Sequence, residues 1–156
     1  MHILGRKPLG WSVMLAAGAL YCAGAVAGQV QESNKKIALA ITKAMEEHDV
    51  AKASSYLRDD YIQHNPNVPT GKAGYVAFFT KLWPGGPKPE AKLANPPVFV
   101  VAQGDKVVLV FSTPTPDPTA PGKTYDKFNF DAYRFENGKI AEHWDGYPKF
   151  GPSTAK

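Results

Sequence analysis

Cysteine is almost missing from this sequence: Cys22 is the only one in 156 residues. An intrachain disulfide and a thiolate metal cluster are thereby excluded. Arginine is sparse, at Arg6, Arg58 and Arg134, and the lysines are scattered rather than grouped. A nucleic-acid partner calls for a basic stripe with interleaved aromatics, so none is expected. The chain also lacks a glycine-rich phosphate loop, a dinucleotide fingerprint, a serine nucleophile elbow and a compact run of metal ligands. The reading therefore expects no cofactor and no metal.

What the chain does have is a long run without charge. Arg6 and Lys7 precede Trp11–Ala27, and Ala25-Val26-Ala27 puts small residues at the two positions a signal peptidase reads. The run is ~17 residues, short of the ~20 needed to span a bilayer. Residues 1–28 are expected to be a cleaved secretory signal, leaving a periplasmic or secreted protein with no stable membrane anchor. Tyr21 is too large to precede a lipidated Cys22, so a lipoprotein signal is not expected. Cleavage would remove Cys22 and halve the formal charge of +4. Residues 29–156 then have the size of a single domain.

The first half of that domain reads as helices. Ile37, Ile41, Ala44 and Met45 form one apolar stripe over residues 33–48, with Ser33 or Asn34 as cap. Asp49 caps a second, short helix with Val50, Ala53, Tyr56 and Leu57 inward. After Pro66 and Pro69, Thr70 caps a third helix carrying Tyr75, Phe78, Phe79 and Leu82, which Pro84 stops.

The second half reads as strands. Residues 98–102 and 106–111 form a hairpin around Gly104. A proline-rich loop is expected from Thr113 to Gly122. Residues 124–135 and 139–148 form a second hairpin around Asn137-Gly138. Helices followed by antiparallel strands predict an α+β domain with the helices packed on one sheet face.

Ionisable residues gather in the last hairpin, and its turn decides which of them share a face. A two-residue turn would pair Glu136 with Lys139 and set Asp131 against Trp144. A three-residue turn with Gly138 left-handed would pair Phe135 with Lys139, Asp131 with His143 and Asn129 with Asp145. The second register is preferred. It collects Asn129, Asp131, Tyr133, Ala141, His143 and Asp145 on one face, with Phe128, Phe130, Ile140 and Trp144 on the other.

Tyr61-Ile62-Gln63-His64-Asn65-Pro66, Gly71-Lys72 opening an aromatic helix, and the run from Phe130 to Asp145 resemble the SnoaL-like polyketide cyclases of the nuclear transport factor 2-like superfamily. The resemblance implies a cone, three N-terminal helices over a curved, mainly antiparallel sheet that encloses an apolar pocket. It also implies a homodimer through the outer sheet face, where Trp144 and Phe130 would lie. In those cyclases a strand aspartate serves as acid/base in a cofactor-free aldol closure, aided by a histidine 14 residues earlier. The aspartate falls on Asp145 and the histidine position on Asp131, so His64 or His143 would take over the histidine's role.

The expected catalytic residues are therefore Asp145, Asp131, His143 and His64. The expected pocket residues are Tyr61, Asn65, Tyr75, Trp83, Asn129 and Tyr133. A buried carboxylate beside a second one is a stronger base than an exposed one, as proton abstraction from carbon requires. The reading expects a cofactor-independent lyase or isomerase acting on a small, apolar carbonyl compound. A non-catalytic small-molecule binding or dimerisation module of the same fold is the alternative.

Overall fold

The structure, a computed structural model, describes residues 12–90 and 92–150. Arg6 and Lys7, the expected positive start of a signal, lie outside the described residues. The chain divides at Val30/Gln31 into two units, and the sheet and cavity belong to the second.

Helix α1 spans Ser12–Glu46, α2 Val50–Ser55 and α3 Lys72–Leu82; strands β1 to β5 are Leu57–Gln63, Phe99–Gln103, Lys106–Pro116, Thr124–Glu136 and Lys139–Asp145. The five strands lie in the order β1-β5-β4-β3-β2, and only β1 runs parallel to its neighbour. Among the described residues no helix is long and apolar enough to cross a membrane.

Helix α1 shows its apolar stripe as expected, with Ala38, Ile41 and Ala44 buried. The expected start at Ser33 or Asn34 is corrected: both lie within α1, and Asn34 is buried. No proline interrupts residues 12–46, so the backbone ladder runs on past them. Asp49 does cap α2, accepting the Lys52 N–H at 2.9 Å. Thr70 does not cap α3. Gly71 holds that position at φ 83°, and the Thr70 hydroxyl instead accepts the Gln63 N–H and donates to the Tyr61 carbonyl.

The largest correction in the first half is β1. Residues 57–63 are a strand between α2 and α3, paired with β5 through Leu57–Ile140, Ile62–Glu142 and Gln63–His143. Leu57 and Tyr61 are its buried positions, and between Leu57 and Ile62 β1 advances five residues while β5 advances two, so three extra residues of β1 bulge there.

The proline loop is also shorter than expected. Strand β3 runs through Pro114 and Pro116, which pair with Asp126 and Thr124 of β4. Strand β2 covers β3 no further than Val110, so beyond it β3 is a local edge. A missing N–H on an edge leaves no ladder bond unmade.

The core lies between the helices and the inner sheet face, with Val107, Leu109, Phe135, Ile140 and Leu57 at its centre. Removing a side chain of this kind from water contributes about 1.5–3 kcal/mol. The outer face leaves Phe99, Val101, Phe128 and Phe130 exposed. A long irregular segment after α3 is tied to the end of α1. Glu46 accepts the N–H groups of Ala94 and Asn95 at 2.8 and 3.0 Å, and Glu47 accepts that of Glu90 at 3.2 Å.

The last hairpin departs from the preferred register. Asn137 and Gly138 are both left-handed, at φ 52° and 72°, and Glu136 pairs with Lys139 across a two-residue turn. The extra residue sits further along, at Ala141, where the pairing steps from Phe135–Ile140 to Arg134–Glu142. Asp131 therefore faces Asp145, and Tyr133 faces His143. The site face keeps its expected members, because two registers that differ by two residues present the same face. Ile140 changes sides: it belongs to the core, not to the outer face.

Candidate functional site

A cavity of about 510 Å³ opens between the inner sheet face, α1 and α3. Its apolar wall comes from Ile41 and Met45 of α1, Phe78 and Phe79 of α3, and Phe111 of β3. Its polar wall comes from three strands in register: Tyr61 and Gln63 of β1, Asn129 and Asp131 of β4, His143 and Asp145 of β5. The volume and the sparse polar groups suit a small, mostly apolar ligand.

The acid–base groups are held by hydrogen bonds to named partners. His143 is buried and stacks on Tyr133 with ring centroids 4.8 Å apart. Its Nε2 stands 3.1 Å from Asp131 Oδ1 and its Nδ1 3.0 Å from Gln63 Oε1. Asp145 accepts the Asn65 side-chain N–H at 2.6 Å on one oxygen and the Tyr147 backbone N–H at 3.0 Å on the other.

Tyrosines surround this group. Burial pushes the hydroxyls of Tyr61, Tyr75 and Tyr133 upward from their usual range, with the nearby Asp131 charge adding to each. All three remain phenols at ordinary pH and can donate hydrogen bonds. Tyr75 donates to Met45 Sδ. The ligand-type atoms of Asp131, His143 and Asp145 lie within 4.8 Å of one another, near enough for a cation to bridge. The Asp131–His143 hydrogen bond, the β4–β5 pairing of Asp131 with Asp145, and the bonds to Gln63, Asn65 and Tyr147 already account for that spacing.

Of the expected catalytic residues, the structure brings Asp145, Asp131 and His143 together and leaves His64 out. His64 follows β1 on the outward side, like Ile62, and stacks on Trp144 with ring centroids 4.6 Å apart. Its Nε2 meets Glu142 Oε2 at 2.9 Å, and this bond, with the Arg134 guanidinium, holds the Glu142 carboxyl below its usual range. Of the expected pocket residues, Tyr61, Asn65, Tyr75, Asn129 and Tyr133 line the cavity. Trp83 does not. It packs between His48 and Phe79, beyond the end of α3.

Sequence reasoning missed Gln63, Asn67, Tyr147 and Phe150, all of which line the cavity. Gln63 would have been found by reading 57–65 as a strand, since Tyr61, Gln63 and Asn65 then fall on one face. Asn67 clasps the segment after β5 from both sides: its Nδ2 donates to the Pro148 carbonyl at 2.9 Å, and its Oδ1 accepts the Phe150 N–H at 2.8 Å. No periodicity announces such a contact.

A family model for the SnoaL-like domain matches residues 38–143. Among solved structures, TsrD from Streptomyces laurentii is similar with 25% identity and a TM-score of 0.50, over 74% of this chain and 88% of that one. A Shewanella putrefaciens protein described as a SnoaL-like polyketide cyclase is similar with 18% identity and a TM-score of 0.52, over 77% and 85% of the two chains. A nuclear transport factor 2-like protein from Burkholderia pseudomallei gives 16%, 0.52, 74% and 91%. The last two likenesses speak to the fold. No curated protein matches by sequence.

Proposed function

The chain belongs to the SnoaL-like domain family, and from that footing we propose that it binds a small, largely apolar carbonyl compound and moves a proton on it, as a lyase or isomerase that needs no cofactor. One observation carries the reading. On the cavity's strand wall Asp145, whose two oxygens accept hydrogen bonds from Asn65 and Tyr147, stands opposite an aspartate–histidine pair, Asp131 and His143.

In this reading Asp145 takes a proton from carbon beside the carbonyl. The Asp131–His143 pair and the buried tyrosines donate hydrogen bonds to the oxygen as charge builds on it. The apolar wall of Ile41, Met45, Phe78 and Phe111 holds the rest of the ligand and keeps water away.

The alternative is a binding module without turnover. It is favoured by Asp131 standing where the resembling cyclases carry their histidine. Native mass spectrometry of protein taken from its own compartment would identify the compound that travels with it. Turnover of that compound by wild type, and its loss by at least 100-fold in Asp145→Asn, is the expected result. Equal turnover by the variant overturns the assignment of Asp145, and tight binding with no turnover in wild type establishes the alternative.

We propose further that the protein is exported, on the strength of Arg6 and Lys7 before the charge-free run to Ala27. N-terminal sequencing of the periplasmic or secreted form should begin near position 29; a chain still starting at Met1 removes this proposal. A homodimer through the outer sheet face is proposed from the exposed Phe99, Val101, Phe128 and Phe130.

A further inference from the structure

We infer that Gln63 is a positioning residue: it fixes which nitrogen of His143 carries the proton, and so leaves one transferable proton on the Asp131–His143 edge that faces the cavity. The inference deepens the proton-transfer reading above and rests on it for its chemical use, but its geometry stands apart from any turnover.

The argument starts at the backbone. The Asn65 N–H lies 3.0 Å from the side-chain atom Gln63 Oε1. A backbone N–H can only donate, so the Gln63 atom that meets it is the carbonyl oxygen and not the amide nitrogen. The other end of the amide, Nε2, donates to the Tyr61 hydroxyl at 3.0 Å. The amide thus has one orientation, set from both sides.

That same Oε1 stands 3.0 Å from His143 Nδ1. An acceptor there requires Nδ1 to carry hydrogen. The remaining nitrogen, Nε2, is 3.1 Å from Asp131 Oδ1. A bare nitrogen facing a bare carboxylate oxygen would be two acceptors in contact, so a proton lies between them. The pair is either imidazolium with carboxylate or imidazole with carboxylic acid, and the proton count is the same.

The other titratable groups facing His143 are Asp145 from β5, Tyr61 from β1 and Tyr133 from β4, with Glu46 and Tyr75 further along the cavity wall. The Tyr61 hydroxyl accepts from Gln63, which leaves its own hydrogen for another acceptor. One amide therefore aligns two donors, the Asp131–His143 edge and Tyr61, and both are matched by an oxygen of a ligand. In proton transfer the bookkeeping closes: Asp145 gains the proton lost from carbon while the pair lends its proton to the carbonyl oxygen. A neutral enol results, and both protons return when the enol collapses.

The test is heteronuclear NMR of the imidazole nitrogens in the full ¹⁵N-labelled chain, with wild type, Gln63→Leu and Gln63→Glu. Wild type should show His143 Nδ1 protonated at every pH from 5 to 9. Gln63→Leu should move the neutral-form proton to Nε2 at the alkaline end, seen as the Nδ1 resonance shifting to its unprotonated position. Gln63→Glu keeps an acceptor and should retain the wild-type pattern. Wild-type His143 with a bare Nδ1 at pH 8 overturns the inference even if Gln63→Leu fails to fold, and so does an unchanged pattern in a folded Gln63→Leu. Lost turnover in Asp145→Asn has no bearing on these spectra, so the two readings fail separately.

Discussion

Asp131 and Asp145 are direct partners across the β4–β5 ladder, yet each carboxylate is held by a different set of groups. Asp131 leans on the His143 ring, while Asp145 is pinned by the Asn65 amide and the Tyr147 backbone. Two carboxylates opposite one another repel when both are charged. The neighbouring histidine proton and the two donors on Asp145 offset that repulsion, so an acidic pair can be kept inside a mostly apolar cavity.

Asn65→Ala should therefore weaken the fold as well as the site. It removes the 2.6 Å bond to Asp145 and the Asn65 Oδ1 acceptor of the Asn67 N–H. A hydrogen bond to a charged group contributes about 1.5–3 kcal/mol, and an exposed turn less. Urea unfolding should show a loss of about 2 kcal/mol with an unchanged m-value.

Inner and outer aromatic or aliphatic positions should respond differently. Ile140 is fully buried, and Ile140→Ala should cost about 2–5 kcal/mol by the same measurement. Phe128 is 62% exposed, so Phe128→Ser should leave unfolding of the monomer within about 0.5 kcal/mol. Light scattering at several concentrations should give a dimer for wild type and a monomer for the double variant Phe128→Ser, Phe130→Ser. A monomeric wild type at every concentration removes the dimer proposal.

Asn67→Ala should loosen the segment that follows β5, since both polar ends of that side chain hold it. Trypsin should cut after Lys149 faster in the variant than in wild type, by roughly the tenfold that ~1.4 kcal/mol of local opening represents. The rest of the chain should resist cleavage equally in both. Equal cutting after Lys149 would mean the clasp does not restrain the segment.

Acid should act through Glu47. Its carboxyl is lowered from the usual 4.5 to about 2, first by the hydrogen bond from Lys43 and then by the N–H of Glu90. The folded state thus binds its proton less readily than the unfolded chain. The stabilisation is complete above pH 4.5 and is lost as the pH falls toward 2. Thermal melts of wild type and Glu47→Gln should differ most at pH 6 and converge between pH 4 and pH 2. A gap that widens with acid would contradict the assignment.

How much of this could be read beforehand follows local chemistry closely. The Asp49 cap, the stop before Pro84 and the turn at Asn137-Gly138 depend on a few adjacent residues, and each appears where the sequence puts it. Asp131, His143 and Asp145 share a face because alternation survives any even shift of register. Strand β1 was not legible. Its hydrophobic pattern is broken by Arg58, Asp59 and Asp60, and its identity depends on pairing with β5, some 80 residues away. His64 was misplaced for the same reason: without a strand there was no parity to send it outward. Trp83 was misplaced because nothing local distinguishes a cavity wall from the far end of the helix that builds it.

The unpaired step at Ala141 has an implication for how this architecture can change over time. It puts the two halves of β5 out of phase, with Ile140 anchoring the core on one side of it and His143 and Asp145 serving the cavity on the other. Losing that single residue would leave Ile140 opposite Phe135 and bring Glu142 straight after it, still opposite Arg134, so the inward-outward alternation would become regular. His143 would stay opposite Tyr133 and Asp145 opposite Asp131, both still facing the cavity. The facing of this strand is therefore set by its partners on β4, and a one-codon deletion at the step would straighten the scaffold without emptying the pocket of its chemistry.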